Sequence, residues 1–274
     1  MTLLKIDETK CKKDGFCVRE CPAGIIRQKD KDSVPQMIPG ADQNCMLCGH
    51  CIAVCPHDAL QHTLIPMENS PRILEENTVT PEQAIQFLRS RRSVRRFKKK
   101  PVEKEMIQFL IDHARYAPTG GNTQLLKWTV FTDEAKIKAM ADMTVDWMRQ
   151  MIASGNGDKM AAYIPRVIAA YDAGVNSITR DAPCLVFASA PEKYANAMVD
   201  LTIALSYFEL MATAKGMGTC WLGLITMALK QHEPLKELVG LPKSHTQFYP
   251  MILGYPTVKY YRVPERKPAH IIWK

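Results

Sequence analysis

The sequence predicts an α+β protein in two parts, a small cysteine-rich domain followed by a larger one in which helices pack a mixed sheet. Three observations predict it. Seven of the nine cysteines fall within the first 55 residues, in two runs of related spacing. Pro66 to Pro81, carrying Asn69, Ser70, Pro71, Glu75, Glu76 and Asn77, lacks sustained periodicity and reads as a connector. Beyond it, segments of helical period alternate with apolar runs of strand length. The expected domains are 1–65 and 81–274, with 66–80 as linker.

Composition narrows the function classes. With 274 residues and 46% hydrophobic content, the chain can bury a sizeable core. Met1 to Lys10 has no apolar core of a leader, and no run approaches the roughly 18 apolar residues of a membrane span, so a cytoplasmic protein without a membrane is expected. The net charge of +8 raises the question of nucleic acid, but no recognition helix, RNA-binding signature or basic–aromatic repeat accompanies it. Residues 1–65 hold eight basic and eight acidic side chains, so the whole excess lies later in the chain. Phosphate-bearing small molecules account for it better than nucleic acid.

Nine cysteines, an odd number at irregular overall spacing, argue against a disulfide framework. Cys45, Cys48, Cys51 and Cys55-Pro56 form a C-x2-C-x2-C-x3-C-P run. That is the bacterial ferredoxin spacing, in which three thiolates wrap one iron–sulfur cube and the fourth reaches a second. A zinc site is the alternative for clustered cysteines, but an earlier copy of the run counts against it. This copy is Cys11, Cys17 and Cys21-Pro22, with Asp14 standing where the second cysteine belongs. Carrying over the crossed ligation of two-cluster ferredoxins gives Cys21, Cys45, Cys48 and Cys51 to one cluster, and Cys11, Cys17, Cys55 and Asp14 to the other. A carboxylate is a harder ligand than thiolate, so the Asp14 site is either a 4Fe-4S cube with Asp14 bound or a 3Fe-4S cluster that has lost that iron. Asp14 as a turn residue before Gly15 is the structural alternative. Ala23 to Ile26 and Asp58 to Leu60 look like the paired short elements of such a domain. Cys184 and Cys220 lie in apolar stretches and read as small hydrophobes.

In the second part, Thr80-Pro81-Glu82 offers a helix N-cap with proline at the first position, and Ala84, Ile85 and Leu88 share a face. Arg91-Arg92-Ser93-Val94-Arg95-Arg96-Phe97 follows, presenting planar guanidinium forks suited to phosphate oxygens. A helix is expected over Val102–Tyr116, with His113 a packed residue rather than a ligand. Ala117 to Gln124 is a polar glycine turn, and Lys127 to Phe131 has strand content. From Ala135 to Ile152, Met140, Met143, Trp147, Met148 and Met151 recur at helical spacing, a core face first and a pocket lid second. Asp181 to Ala188 reads as a buried strand, and Ala195 to Lys215 as a helix apolar around most of its circumference. Gly216 to Gly223 fails as a dinucleotide fingerprint, because Trp221 stands at the third glycine and a helix precedes it where a strand is required. Phe248 to Gly254 is a further strand, and Ile271 to Trp273 a candidate last one.

Taken together, Arg91-x-Ser93-x-Arg95-x-Phe97, the Pro118-Thr119-x-x-Asn122-x-Gln124 segment, Gly216-Met217-Gly218-Thr219-Cys220-Trp221-Leu222-Gly223 and a basic arm of Arg262, Arg266 and Lys267 resemble, in order, the nitroreductase family of flavoproteins. The whole chain resembles a fusion of a two-cluster ferredoxin-like domain with a nitroreductase-type domain. That resemblance implies a homodimer with FMN at two interface sites. It places Arg91, Arg92, Ser93, Arg95, Arg266 and Lys267 on the phosphate, ribityl and pyrimidine edge, with Arg95 near N1. It places Pro118, Thr119, Asn122 and Gln124 at the flavin edge, contributed largely by the second subunit, and Trp221, Leu222 and Gly223 along the ring system. No side chain needs to be a nucleophile, since FMN carries the chemistry.

Three readings of function follow. Clusters pass electrons to FMN for reduction of a nitroaromatic or quinone, with reduced ferredoxin as donor; or NAD(P)H is the donor; or the protein relays electrons without a small-molecule substrate.

Overall fold

A computed structural model of the chain describes residues 3–154 and 163–274. It divides into two compact units, residues 1–79 with 121–123, and residues 80–120 with 124–274.

In the first unit, β1 (Leu4–Ile6), α1 (Phe16–Arg19), β2 (Ile26–Arg27), β3 (Gln36–Met37), α2 (His50–Ala53) and β4 (Leu60–His62) follow in order. The strands β1 and β4 pair antiparallel, as do β2 and β3. The two halves repeat each other in backbone as well as in sequence. Lys13 and Leu47 both take positive φ (60° and 50°), and Gly15 and Gly49 do so again at 68° and 71°, each immediately before its short helix. Asp14 therefore occupies the same turn as Cys48. The segments after each Cys-Pro step are short paired strands, each in its own sheet: Ile26 faces Met37, and Leu60 faces Ile6. Among the described residues the buried apolar cluster is small, Leu4, Cys17, Ile25, Ile26, Ala41 and Leu60, with several cysteines packed around it and Ile52 and Ala59 also buried. A core this small needs an added constraint, and metal ligation is the usual one.

The second unit begins with α3 (Pro81–Ser90), capped reciprocally by Thr80 and Gln83. Its apolar face does not enter the core: Ile85 and Leu88 are exposed. After it come α4 (Lys104–Ala114), β5 (Lys127–Phe131), α5 (Glu134–Ala153), α6 (Ile164–Asp172), β6 (Cys184–Ala190), α7 (Ala197–Ala214), β7 (Gly218–Trp221), α8 (Gly223–Gln231), α9 (Glu233–Val239) and β8 (Gln247–Gly254). The strand order is β5-β6-β8-β7, all antiparallel, and a parallel bridge between Ser93 and Thr219 makes the sheet mixed.

Period-two alternation along β6 divides the core into two layers. Cys184, Val186, Ala188 and Ala190 face α4 and α7, while Leu185 and Phe187 face α5, α6, α8 and α9. Both faces are covered, so the whole strand is buried and reads as a continuous apolar run. The methionine-bearing helix α5 supplies core: Met140, Trp147 and Met148 are buried in the second layer. Cys184 is fully buried, and burial pushes its thiol up to about 12.

Several expectations need correction. His113 is exposed rather than packed; its ring lies against Phe109 and its Nδ1 meets the Phe109 carbonyl at 2.7 Å. Ile271, Ile272 and Trp273 add no strand, and the tail from residue 257 is exposed coil. By length and composition α7 reaches the range of a membrane span, with mean hydropathy 1.3 over 18 residues. Its Leu201, Leu205 and Phe208 are fully buried between sheet and α4, which accounts for that hydropathy as core. The strand at Gly218 and the helices α6, α8 and α9 had no sequence expectation; β7 is only four residues long and α6, α8 and α9 are short.

Candidate functional site

The arginine run leaves α3 and lies along the edge of the sheet. Val94 donates its N–H to the Thr219 carbonyl at 2.8 Å, Ser93 bridges Thr219, and Phe97 bridges Pro256. Two glycines make this approach possible. A Cβ on Gly218 would sit 2.5 Å from Val94, and one on Gly254 would sit 2.8 Å from Phe97. The two motifs therefore meet: the arginine run forms a short parallel partner of β7, and β7 leads through Trp221 and Leu222 into Gly223 at the start of α8.

One buried carboxylate ties this corner together, and no sequence motif pointed to it. Glu209 of α7 accepts from Arg91 Nη1 at 3.1 Å and Thr219 Oγ1 at 3.0 Å through one oxygen, and from Trp221 Nε1 at 3.2 Å through the other. A buried carboxylate with three donors is fully satisfied. Its charge is matched by Arg91, which leaves Arg92, Arg95 and Arg96 as surplus positive charge along the run. The exposed Arg95 guanidinium donates to the Ser93 carbonyl at 3.3 Å; burial pushes the Cys220 thiol up, while the charges of Arg95 and Arg180 pull it down. Arg92 lies over the Tyr260 ring at 5.9 Å. The arrangement fits a phosphate-bearing ligand, because backbone pairing fixes the run along the sheet edge and Glu209 holds the Arg91 guanidinium before any ligand arrives.

The polar loop is also tied to α7. Asp200, buried, accepts from the Gly120 N–H at 3.1 Å and from the Tyr194 hydroxyl at 2.7 Å, and that hydroxyl also approaches the Gly120 carbonyl. Thr119 Oγ1 accepts from the Gln124 N–H at 3.2 Å, and Gly121, Asn122 and Gln124 all take positive φ. Pro118 precedes this turn and is exposed. Arg262, Arg266 and Lys267 lie in the exposed tail.

In the cysteine-rich unit the eight expected ligands separate into two cavities. One is lined by Cys21, Cys45, Cys48 and Cys51, the other by Cys11, Asp14, Cys17 and Cys55. Each set takes three residues from one run and one from the other. The thiols report the same division. Burial holds Cys51 up at about 11 against a hydrogen bond from the Ile52 backbone, with Cys48, Cys21 and Cys45 adding to it; burial, then Cys11, Cys55 and Asp14, push Cys17 up to about 11. Such thiols are reluctant to ionise unless a cation compensates the thiolate charge. Among the described residues no three His, Cys, Asp or Glu side chains converge on a single metal-ion position. Four soft donors ringing a cavity fit a multi-atom cluster better than one zinc ion. Asp14 Oδ1 accepts from the Phe16 N–H at 3.1 Å, capping the turn, while Oδ2 lies 3.4 Å from His57 Nε2. His62, unremarked in the sequence, lines the first cavity with Nε2 3.7 Å from Cys45 Sγ.

Comparison with known proteins agrees with both halves. Residues 3–56 match the 4Fe-4S dicluster domain model. A relative from Archaeoglobus fulgidus, named "Putative NADH dehydrogenase/NAD(P)H nitroreductase", is 24% identical over 176 residues, 64% of this chain and 86% of its own. Among solved structures, a nitroreductase with bound FMN from Bacteroides fragilis superposes with a TM-score of 0.57 at 17% identity, covering 69% of this chain and 98% of its own. One from Desulfitobacterium hafniense, also with bound FMN, gives 0.56 at 21%, covering 68% and 97%. At these identities the structures show a shared fold. The Nitroreductase family model matches residues 88–255, more than half of the chain and the whole span from the arginine run to β8, and the protein therefore belongs to the nitroreductase family.

Proposed function

We propose that the protein is an FMN-dependent oxidoreductase whose N-terminal domain carries two iron–sulfur clusters and delivers electrons for the two-electron reduction of a small acceptor, such as a nitroaromatic or quinone. The observation that carries this reading is the docking of the arginine run against β7, which brings the two flavin-family motifs onto one sheet edge. FMN is the group bound in the two nitroreductase structures of like fold. When bound, it supplies the ability to take up electrons singly and release them in pairs.

The residues of this chain do the rest. Arg91, Arg92, Ser93 and Arg95 are proposed to bind the phosphate and the polar edge, joined by Arg266 and Lys267 of the tail. Trp221, Leu222 and Gly223 line the ring system. Pro118, Thr119, Asn122 and Gln124 are assigned to the site of a second copy in a homodimer. Ile85 and Leu88 of α3, and Val199 and Tyr207 of α7, support that assembly as exposed apolar side chains that a second copy would cover. In the N-terminal domain, Cys21, Cys45, Cys48 and Cys51 are assigned to one cluster, and Cys11, Asp14, Cys17 and Cys55 to the other.

The donor is proposed to be a one-electron carrier of the ferredoxin type, because a cluster-bearing domain has no role if a nicotinamide reduces the flavin directly. The name of the Archaeoglobus relative favours the second reading, in which NAD(P)H is the donor. Rapid mixing of the anaerobic holoprotein with reduced ferredoxin, NADH or NADPH, followed at the flavin absorbance, separates them. Reduction by ferredoxin but slowly or not at all by nicotinamides supports the first reading; the reverse pattern replaces it with the second. Turnover with nitro compounds or quinones excludes a relay without substrate.

A further inference from the structure

We infer that His62 donates a hydrogen bond from Nε2–H to Cys45 Sγ, and that this bond holds the cluster proposed at Cys21, Cys45, Cys48 and Cys51 at a higher reduction potential than its Asp14-bearing neighbour. The inference rests on the reading of these cysteines as cluster ligands.

The tautomer follows from the neighbours. The backbone N–H of Leu64 points at His62 Nδ1 at 3.1 Å, and a backbone N–H can only donate. Nδ1 must therefore present its lone pair, and in a neutral imidazole the single proton then sits on Nε2. That nitrogen lies 3.7 Å from Cys45 Sγ, a normal N–H···S separation. The ring is held there by its place in β4, where His62 pairs with Leu4, and it is 4% exposed. With its one lone pair occupied by Leu64, His62 is not a spare iron ligand. It is a positioning and tuning residue.

The internal repeat supplies the comparison. The two cysteine runs are offset by 34 residues, from Cys11 to Cys45, and the same offset carries His62 onto Gln28. Gln28 does not donate to a cysteine. Its amide nitrogen donates to the Lys13 carbonyl at 3.0 Å and the Ser33 carbonyl at 2.9 Å. In the second cavity the nearby imidazole, His57, faces the Asp14 carboxylate and not a thiol. The two cavities thus share backbone but differ in polar surroundings, one with an N–H aimed at sulfur and the other with a carboxylate in place of one thiolate.

That difference has a sign. Reduction adds one electron and no proton, and the added negative charge is shared by the cluster's thiolates. A donor on one of them stabilises the reduced form more than the oxidised form, and burial strengthens the effect. In the second cavity Asp14 stands in a thiolate's place without adding charge, and among the described residues no histidine or glutamine N–H is aimed at a thiol there. An electron entering the pair therefore settles on the His62 side.

The test is an anaerobic dithionite titration of the holoprotein followed by electron paramagnetic resonance, with iron and sulfide assayed, in wild type, His62→Phe and His62→Leu. Expected are two reduction waves in wild type, with only the higher moving downward in the variants, by about tenfold in its reduction equilibrium or about 59 mV for a one-electron couple. Iron content should be unchanged. Full iron with neither wave moved, or both moved together, overturns the inference while leaving the cluster reading intact. Loss of iron from both variants overturns it in favour of a merely structural histidine. Absence of cluster signals from wild type removes the ligand assignment itself.

Discussion

Arg91 and Glu209 are 118 residues apart in sequence, yet the guanidinium Nη1 of one lies 3.1 Å from the carboxylate of the other. The pair is unequal in exposure: the Glu209 side chain is 8% accessible and that of Arg91 26%. Glu209 faces inward to Thr219 and Trp221, while Arg91 has one edge toward solvent, where a phosphate would lie. This buried carboxylate therefore acts as the back wall of the proposed phosphate site.

Arg91→Ala should purify largely without flavin while keeping its iron. Loss of a charge-assisted hydrogen bond to phosphate weakens binding by on the order of 1.5–3 kcal/mol. Leaving Glu209 buried without its cation also costs about 3–5 kcal/mol of stability, so the midpoint of thermal unfolding should fall. Glu209→Gln separates the two effects, since an amide needs no counter-charge and Arg91 remains. Undiminished FMN in Arg91→Ala, measured by absorbance after denaturation, would show that the arginine run does not hold phosphate.

Gly218→Ala should undock the run from β7, because the new methyl would sit 2.5 Å from Val94. Overpacking of this kind costs typically about 1–3 kcal/mol. Combining it with Val94→Ala should restore much of the loss. Denaturation midpoints of the two single variants and the double variant decide the matter, and simple additivity would mean that the contact is not the cause.

The Asp14 variants test the second cluster. With the carboxylate as ligand, Asp14→Cys should give a sturdier four-iron cube and Asp14→Ala a three-iron cluster on mild oxidation. The readout is iron stoichiometry with electron paramagnetic resonance. Identical spectra in all three proteins would leave Asp14 its hydrogen bond to the Phe16 N–H and its contact with His57.

Cys48→Ala removes one proposed ligand from the cavity that His62 also lines. FMN should stay bound, while its reduction by ferredoxin, followed by rapid mixing, should slow markedly. Equal rates in wild type and variant would take that cluster off the electron route.

Some of this molecule was written in its local pattern. The cysteine runs are legible because residues that line one cavity recur at the period of the turn that presents them, and the same positive-φ turns occur at Lys13 and Leu47. Thr80-Pro81 announces α3 because capping is settled within four residues. The continuous apolar content of β6 announces a strand covered on both faces. What the sequence alone did not disclose depends on pairs far apart in the chain. Glu209 is one of two charged residues on a long apolar helix until folding puts Arg91 and Trp221 beside it. Gly218 looks like part of a flexible glycine segment until Val94 fills the space its missing side chain leaves. His62 is an ordinary strand residue until Leu64 fixes its tautomer and Cys45 meets its other nitrogen. Hydrogen bonding and close packing act over a few ångströms in space and carry no memory of separation along the chain, so only the tertiary structure could select these partners.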